Sequence, residues 1–267
     1  LKLKIADKRF LYLIIKLLKA PTLNAGGKVE RNEIGSPQGS ILSPILANIY
    51  LHYVLDIWFS WINNRQYRGI ARMVRYADDA AFVFDSAEEA ERFRTELVKR
   101  LESFGISTND SKTKVLASGR YEATKHESRG ARMPSFTFLG FLFVWGISIN
   151  SKTGRRFWRV KTRSCPKRFK NKLAIIKAMI SRKRCHDKRL ISHMKRVVEG
   201  YLNYFAVTDN MRRVSQFTHE VKRTLYKYLN RRSQRRSYDW QRFTEVLKRE
   251  GFPKVYVRKH LILDLSI

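Results

Sequence analysis

Cysteine is nearly missing from this chain: Cys165 and Cys185 are the two among 267 residues. Two thiols cannot staple a chain of this length into a disulfide scaffold, so a reducing compartment is expected. They do not frame a metal knot either. There is no C-x-x-C pair, Cys185 and His186 are adjacent, and His193 stands apart, so structural zinc is not expected. Acidic residues are the second shortage, with 23 Asp+Glu against 55 Lys+Arg and a formal net charge of +32. Solubility asks for only about 2–8 charges in a small domain, so an excess of this size points to a polyanionic partner. The linear sequence also lacks an apolar run that reads as long enough to cross a bilayer, and it shows no signal peptide. No methionine opens it. Leu1 stands first, which predicts a piece of something longer.

What is present is enough for a core. The chain is 43% hydrophobic with sixteen phenylalanines, which excludes a disordered basic tail, and its length suits one large domain or two ordinary ones. The positive charge is uneven. Residues 1–150 carry 22 Lys+Arg against 15 Asp+Glu, a net +7, whereas residues 151–267 carry 33 against 8, a net +25. Two domains are therefore expected, 1–150 and 151–267, with polyanion binding concentrated in the second and weakening steeply as salt rises.

The most informative stretch is Arg75-Tyr76-Ala77-Asp78-Asp79, two adjacent carboxylates with apolar residues on both sides. Met73 and Val74 before it and Ala80 to Phe84 after it predict a β-hairpin whose tip presents both acids. Packing does not explain two neighbouring acids; they need countercharge from protein cations, water or a divalent metal. A solvated Asp-Asp turn is the plain alternative. Upstream, Gly35-Ser36-Pro37-Gln38-Gly39-Ser40-Ile41-Leu42-Ser43-Pro44 reads as a loop entering a helix, with Ser43 as cap and Pro44 at the first helical position, and such a loop offers backbone N–H groups to an anion.

Helices and strands are legible around these stretches. Asp7 to Lys19 reads as an amphipathic helix with Asp7 as its cap and Phe10, Leu11, Ile14, Leu17 and Leu18 on one stripe. Ala25 to Gly27 reads as a turn, and Lys28 to Ile34 as a strand. The helix from Ser43 to Asn63-Asn64 should bury Ile45, Leu46, Ile49, Tyr53, Ile57 and Trp61. Ser86 and Glu89 form a capping box for a helix with Ala90, Phe93, Leu97, Leu101 and Phe104 on one face, closed by Gly105, and a further strand should follow in a βαβ-like continuation. Ser118 to Ser135 reads as a surface loop, and Phe136 to Ile149 as an aromatic hairpin with Gly140 at a close approach. From Pro166 onward come basic helices, with Leu173, Ile176, Met179 and Ile180 and then Ile191, Met194, Val197, Val198, Tyr201, Leu202 and Phe205 facing a core.

Taken in order, Gly-Ser-Pro-Gln-Gly (35–39), Ser-Pro-Ile-Leu-Ala-Asn-Ile (43–49), Tyr-Ala-Asp-Asp (76–79), Asn109-Asp110-Ser111-Lys112-Thr113 and Phe138-Leu139-Gly140-Phe141 resemble the palm of reverse transcriptases, most closely the group II intron-encoded reverse transcriptase/maturase family. Gly200 to Phe205, Leu229 to Arg235, and Trp240 with Arg242-Phe243 resemble the thumb and maturase (X) domain of the same family. No segment resembles the endonuclease module that some members carry.

The resemblance implies an α+β fold, an incomplete ferredoxin-like polymerase palm followed by a basic all-α thumb/maturase domain. It implies an RNA-directed DNA polymerase of a group II intron that also binds intron RNA and assists splicing, by two-magnesium nucleotidyl transfer with the ions about 3.5–4 Å apart. On this likeness Asp78 and Asp79 hold Mg2+, and Pro37, Gln38 and Gly39 surround the incoming dNTP. Lys112 approaches the leaving pyrophosphate as proton donor or charge stabiliser. Phe138, Leu139 and Gly140 form the primer grip. Arg231, Arg232, Arg235 and Arg236 contact RNA, where guanidinium forks suit phosphates and base edges; a solvated charge run is the alternative. The implied partners are intron RNA and template-primer RNA/DNA, with no membrane, in bacterial cytoplasm at the nucleoid or in an organelle. The strand carrying the family's first metal-binding aspartate would precede Leu1, and Asp7 does not replace it. An RNA-binding maturase or inactive remnant without polymerase activity is therefore the rival reading. A reverse transcriptase of another retroelement type would share the palm without needing the basic C-terminal helices.

Overall fold

Asp7 sets the start of the first helix. Its Oδ1 accepts from the backbone N–H of Arg9 at 2.8 Å and of Phe10 at 3.1 Å, satisfying two free donors of α1 (Lys8–Leu18). On the expected apolar stripe Ile14 is buried, while Phe10 and Leu17 are exposed. The structure is a computed structural model that describes residues 1–23, 29–30, 42–67, 69–150, 152–182, 187–231 and 237–260. They fall into two compact units, Leu1–Leu116 and Ala117–Ile267.

In the first unit, β1 (Thr22–Leu23) and β2 (Val29–Glu30) pair antiparallel. The turn expected between them, and residues 28 and 31–34 of the expected strand, lie outside the described residues. Next comes one continuous helix in three windings: α2 (Ser43–Leu51), a π-helical stretch (His52–Asp56) and α3 (Ile57–Arg65). Leu42, not Ser43, occupies its cap position, and Pro44 sits in its first turn. The face expected to bury is corrected. Ile45, Tyr53, Ile57 and Trp61 are exposed, and Val54, Leu55, Phe59 and Ile62 are buried. Five residues of π winding rotate the helix, so a 3.6-residue period carried past His52 selects the wrong side there, whereas Ile45 lies on α2, none of whose residues is buried.

The membrane expectation also needs correction. Ser43–Arg65 is a 23-residue helix of mean hydropathy 1.3, long and apolar enough to cross a bilayer by length and composition. Here its buried side packs on the hairpin that follows, and its Asp56 is ion-paired.

That hairpin is β3 (Ala71–Tyr76) and β4 (Asp79–Phe84), paired from Tyr76 opposite Asp79 to Ala71 opposite Phe84. Strand alternation puts Ala71, Met73, Arg75, Ala80, Phe82 and Phe84 on one face. Phe82 and Phe84 meet Phe93 with ring centroids 4.6 and 5.1 Å apart, and Phe59 closes the cluster. Val74, Tyr76, Asp79 and Val83 share the opposite, exposed face. α4 (Ala87–Ser103) follows as the capping box predicts: Ser86 Oγ accepts from Glu89 N–H at 3.4 Å, and Phe93, Leu97 and Leu101 are buried. Gly105, at φ +68°, ends it, and Ile106 N–H donates to the Leu101 carbonyl at 2.9 Å.

The strand expected after α4 is absent among the described residues. A local turn takes its place: the backbone N–H groups of Lys112 and Thr113 both donate to the Asn109 backbone carbonyl, and Ser111 Oγ donates to Asn109 Oδ1 at 2.7 Å.

In the second unit the surface loop expected over 118–135 contains α5 (Arg120–Ser128), which buries Ala123 completely. An antiparallel sheet follows in the order β5 (Phe136–Phe138), β6 (Phe141–Ile149), β7 (Arg156–Ser164). The all-helical expectation for 151–267 is therefore corrected at its start. β7 pairs with β6 over nine residues because its side chains alternate, with Thr162 and Ser164 turned into the core. The change in charge at 150–151 falls in the turn between these strands, while the packing divides at Leu116/Ala117.

Four helices complete the unit: α6 (Pro166–Arg182), α7 (Asp187–Phe205), α8 (Met211–Asn230) and α9 (Trp240–Arg249). Their shared core holds Ile176, Ile180, Met194, Leu202, Phe217 and Phe243, each worth about 1.5–3 kcal/mol when fully buried. Asn210 ties sheet to helices: its Oδ1 accepts from Ser164 N–H at 2.8 Å, and its Nδ2 donates to Ser164 Oγ at 2.7 Å and to the Phe205 carbonyl at 2.9 Å.

Candidate functional site

The β3–β4 turn is two residues long, Ala77 and Asp78, with Asp79 opening β4. Ala77 has φ +54°, a left-handed conformation that favours glycine, so something must hold it. Arg75 does. Its Nη1 donates to the Ala77 carbonyl at 2.8 Å and to Asn48 Oδ1 at 2.9 Å, while Nε and Nη2 donate to Asp56 Oδ1 and Oδ2 at 2.6 Å each. Arg75 holds the Asp56 carboxyl below its ordinary value, against the upward push of burial, and His52 adds a smaller downward pull. Asp56 in turn raises Arg75.

This fork has a consequence for the neighbouring acids. The guanidinium nearest to them in sequence is fully engaged elsewhere. Asp78 and Asp79 are exposed, and among the described residues no cation pairs with them. Two free carboxylates offer hard oxygen donors, which Mg2+ prefers. Among the described residues no cluster of three or more His, Cys, Asp or Glu side chains forms, so the protein offers an ion this pair. Mg2+ is commonly held by one or two carboxylates with water and substrate phosphates, and the pair fits that habit.

The other expected site residues are placed as follows. Lys112 is exposed in the turn built on Asn109, in the same unit as the two aspartates, with no hydrogen bond or ion pair joining it to them. Pro37, Gln38 and Gly39 lie outside the described residues. Phe138, Leu139 and Gly140 belong to the second unit, at the β5–β6 turn. Leu139 (φ +49°) and Gly140 (φ +81°) are both left-handed, as a two-residue hairpin turn of this kind requires. Tyr204 Oη donates to the Leu139 carbonyl at 2.7 Å, Cys165 N–H donates to the Gly140 carbonyl at 3.0 Å, and Phe141 stacks on Tyr204. This tip is rigidly seated on α7. Arg231 lies just past α8, and Arg232, Arg235 and Arg236 are outside the described residues. The described flanks of that segment are pinned: Asn230 Nδ2 donates to the Tyr238 carbonyl and Tyr238 N–H donates to Asn230 Oδ1, both at 2.8 Å.

Residues 5–143, just over half of the chain, match the family described as Reverse transcriptase (RNA-dependent DNA polymerase). The chain belongs to the reverse transcriptase family. It is similar to a putative COX1/OXI3 intron 1 protein of Saccharomyces cerevisiae, 25% identical over 284 residues, covering 81% of this chain and 33% of that protein. It is also similar to an uncharacterized 91 kDa protein in cob intron of Schizosaccharomyces pombe, 46% identical over 70 residues, 26% of this chain and 9% of that protein. The group II intron-encoded protein LtrA of Lactococcus lactis subsp. cremoris is 50% identical over 52 residues, 20% of this chain and 8% of LtrA. The likeness to the group II intron-encoded reverse transcriptases is thus shown. The chain spans a third or less of the length of these curated relatives.

The segment matched to reverse transcriptases takes in Asp78, Asp79, Lys112, residues 37–39 and the tip at 138–140, and it leaves Arg231 outside. The side chains that support the expected site residues in each unit were not legible in advance. Asp56 and Asn48 read as ordinary polar positions on a helix, although the second lies within the Ser-Pro-Ile-Leu-Ala-Asn-Ile match. Asn230 reads as a helix-end residue, and its spacing from Tyr238 carries no signal.

Proposed function

We propose that this chain acts as an RNA-directed DNA polymerase of a group II intron, and that it binds the intron RNA and assists its splicing. The carrying observation is the pair Asp78 and Asp79, exposed at a fixed turn while Arg75 is committed to Asp56, Asn48 and Ala77. Mg2+ held by these carboxylates, with triphosphate and water oxygens completing its shell, would act as a Lewis acid on the attacking hydroxyl, the α-phosphate and the leaving pyrophosphate. Arg75 contributes by keeping the turn rigid and by leaving both acids unneutralised. The exposed face of the hairpin, with Val74, Tyr76 and Val83 beside Asp79, gives the primer end an apolar bed. Lys112, exposed and cationic, can give a proton or positive charge to the leaving pyrophosphate, and Pro37, Gln38 and Gly39 are assigned to the dNTP by the family resemblance alone.

In this reading the first unit and its Asp-Asp hairpin serve as a palm, the tip at Phe138–Gly140 grips the primer, and the basic helices serve as thumb and maturase domain. The net +25 of residues 151–267, with Arg231, Arg232, Arg235 and Arg236, supports binding to intron RNA and to a template-primer duplex. Cytoplasm at the nucleoid, or an organelle, is the proposed location.

A second reading is favoured by where the charge lies. The net +25 of residues 151–267 suits RNA binding without any demand on the two acids, as in an RNA-binding splicing cofactor that does not polymerise. Primer extension on poly(rA)/oligo(dT), with RNA binding measured on the same preparation, separates the two. Magnesium-dependent extension that is lost in Asp78→Ala selects the polymerase. Tight, salt-sensitive RNA binding without extension selects the cofactor, and failure of both activities removes both readings.

A further inference from the structure

α8 carries two stripes. Val214, Phe217, Val221, Leu225 and Leu229 are buried in the helical core. His219, Arg223, Tyr226 and Lys227, at i, i+4, i+7 and i+8, instead border a groove of about 310 Å³ that Trp240, the first residue of α9, closes on the other side. That volume is at the lower end of ligand-sized sites, roughly 300–1,000 Å³.

The groove has a fixed aromatic wall and a cationic rim. Tyr226 meets the Trp240 indole edge-on at 5.1 Å, and Phe243 and His219 lie at 5.7 and 6.1 Å, yet Trp240 remains 42% exposed. The indole is therefore held in place with part of its surface open. Lys227 is exposed and unpaired among the described residues, and Arg223 is paired with Glu220 at 3.6 Å, a surface contact that an anion displaces at little cost. A flat apolar surface beside two cations matches a flat aromatic ligand that carries negative charge. An unpaired nucleobase with its own phosphate has that chemistry, whereas a duplex hides its base faces.

Position supports the same occupant. Lys227 lies one turn before Asn230, and Trp240 lies two residues after Tyr238, the pair whose mutual hydrogen bonds bracket the arginine segment. The groove therefore adjoins the described ends of that segment, Asn230 and Tyr238. We infer that the groove takes one unpaired base of an RNA strand, stacked on Trp240, with its phosphate at Arg223 and Lys227. This rests on the RNA-binding reading above and adds to it a site that reads single strands.

The test uses the whole chain, a labelled oligo(rA) single strand and an RNA duplex of the same length, titrated over a salt series. Trp240→Ala should weaken oligo(rA) binding about 10-fold, leave the salt slope and duplex binding unchanged, and be largely rescued by Trp240→Phe. Arg223→Gln/Lys227→Gln, which alters only the rim, should reduce the salt slope on oligo(rA) by about 0.7, the share of one phosphate. Wild-type chain that binds oligo(rA) while Trp240→Ala binds it equally well overturns the groove and leaves the RNA-binding reading standing. Equal losses on strand and duplex do the same. If Trp240→Ala fails to fold, an unchanged slope in the rim variant is decisive against the groove. Wild-type chain that binds neither RNA overturns both readings.

Discussion

Arg75 and Asp56, nineteen residues apart, join by two parallel hydrogen bonds of 2.6 Å each, on a guanidinium whose side chain is only 11% exposed. The pair fastens the hairpin to the long helix and withholds the arginine from the two aspartates at the tip. Asp56→Asn removes the charge and half of this geometry. It should lower the stability of the chain by about 2 kcal/mol in urea unfolding. It should also weaken Mg2+ binding several-fold by calorimetry, because the released guanidinium then competes for Asp78 and Asp79. Stability loss with unchanged Mg2+ affinity would separate the two roles.

The same pair sets a pH dependence. Asp56 has a folded value below its ordinary 3.8, chiefly through Arg75, so the folded state holds fewer protons there than the unfolded chain. Its contribution is complete above the ordinary value and disappears as pH falls through the lowered one. Wild-type stability measured from neutral pH into acid should therefore fall below pH 3.8, and Asp56→Asn should show a shallower fall over that window. Equal slopes for the two proteins would show that Asp56 is not the linked group.

Gly140 is the position where a side chain is least welcome. Its φ of +81° suits glycine, and a Cβ there would lie 3.2 Å from Arg168 Nη1 and 3.6 Å from Phe205 Cζ. Gly140→Ala should cost about 1–2 kcal/mol through the backbone alone. Adding Arg168→Ala relieves the flexible neighbour and should recover only a minor share. Full recovery in the double variant would mean that crowding, not conformation, dominates.

Asn230 gives Tyr238 both of the hydrogen bonds that a paired backbone would. Asn230→Ala should cost about 1–2 kcal/mol in stability. It should also lower RNA affinity without changing the slope of log K against log salt, because the number of cations is the same and only their arrangement is looser. A changed slope would point to lost phosphate contacts instead.

Most of the helices were legible in the sequence because their signals are local. Asp7 and Ser86 cap the helices that follow them, Gly105 ends α4, and the stripes of α6 and α7 bury as their spacing says. The Asp-Asp hairpin tip was readable for the same reason, since a two-residue turn is specified by the few residues around it, and Phe136–Ile149 was readable as a hairpin without its turn at Leu139–Gly140. Elsewhere local reading failed. Periodicity could not foresee the π winding at His52–Asp56, and so from there on it named the exposed face of the helix as the buried one. Polar composition hid α5, in which Ala123 alone is buried.

The sequence by itself determined which residues are candidates, two adjacent acids and a strongly basic second half, because side-chain type and spacing are properties of the chain alone. Only the tertiary structure decided whether those acids are free. That depended on where Arg75 goes, and its partners Asp56 and Asn48 lie nineteen and twenty-seven residues away on another element. Likewise the Ser164–Asn210 bonds span forty-six residues. Contacts of that range arise from packing, which no local pattern encodes.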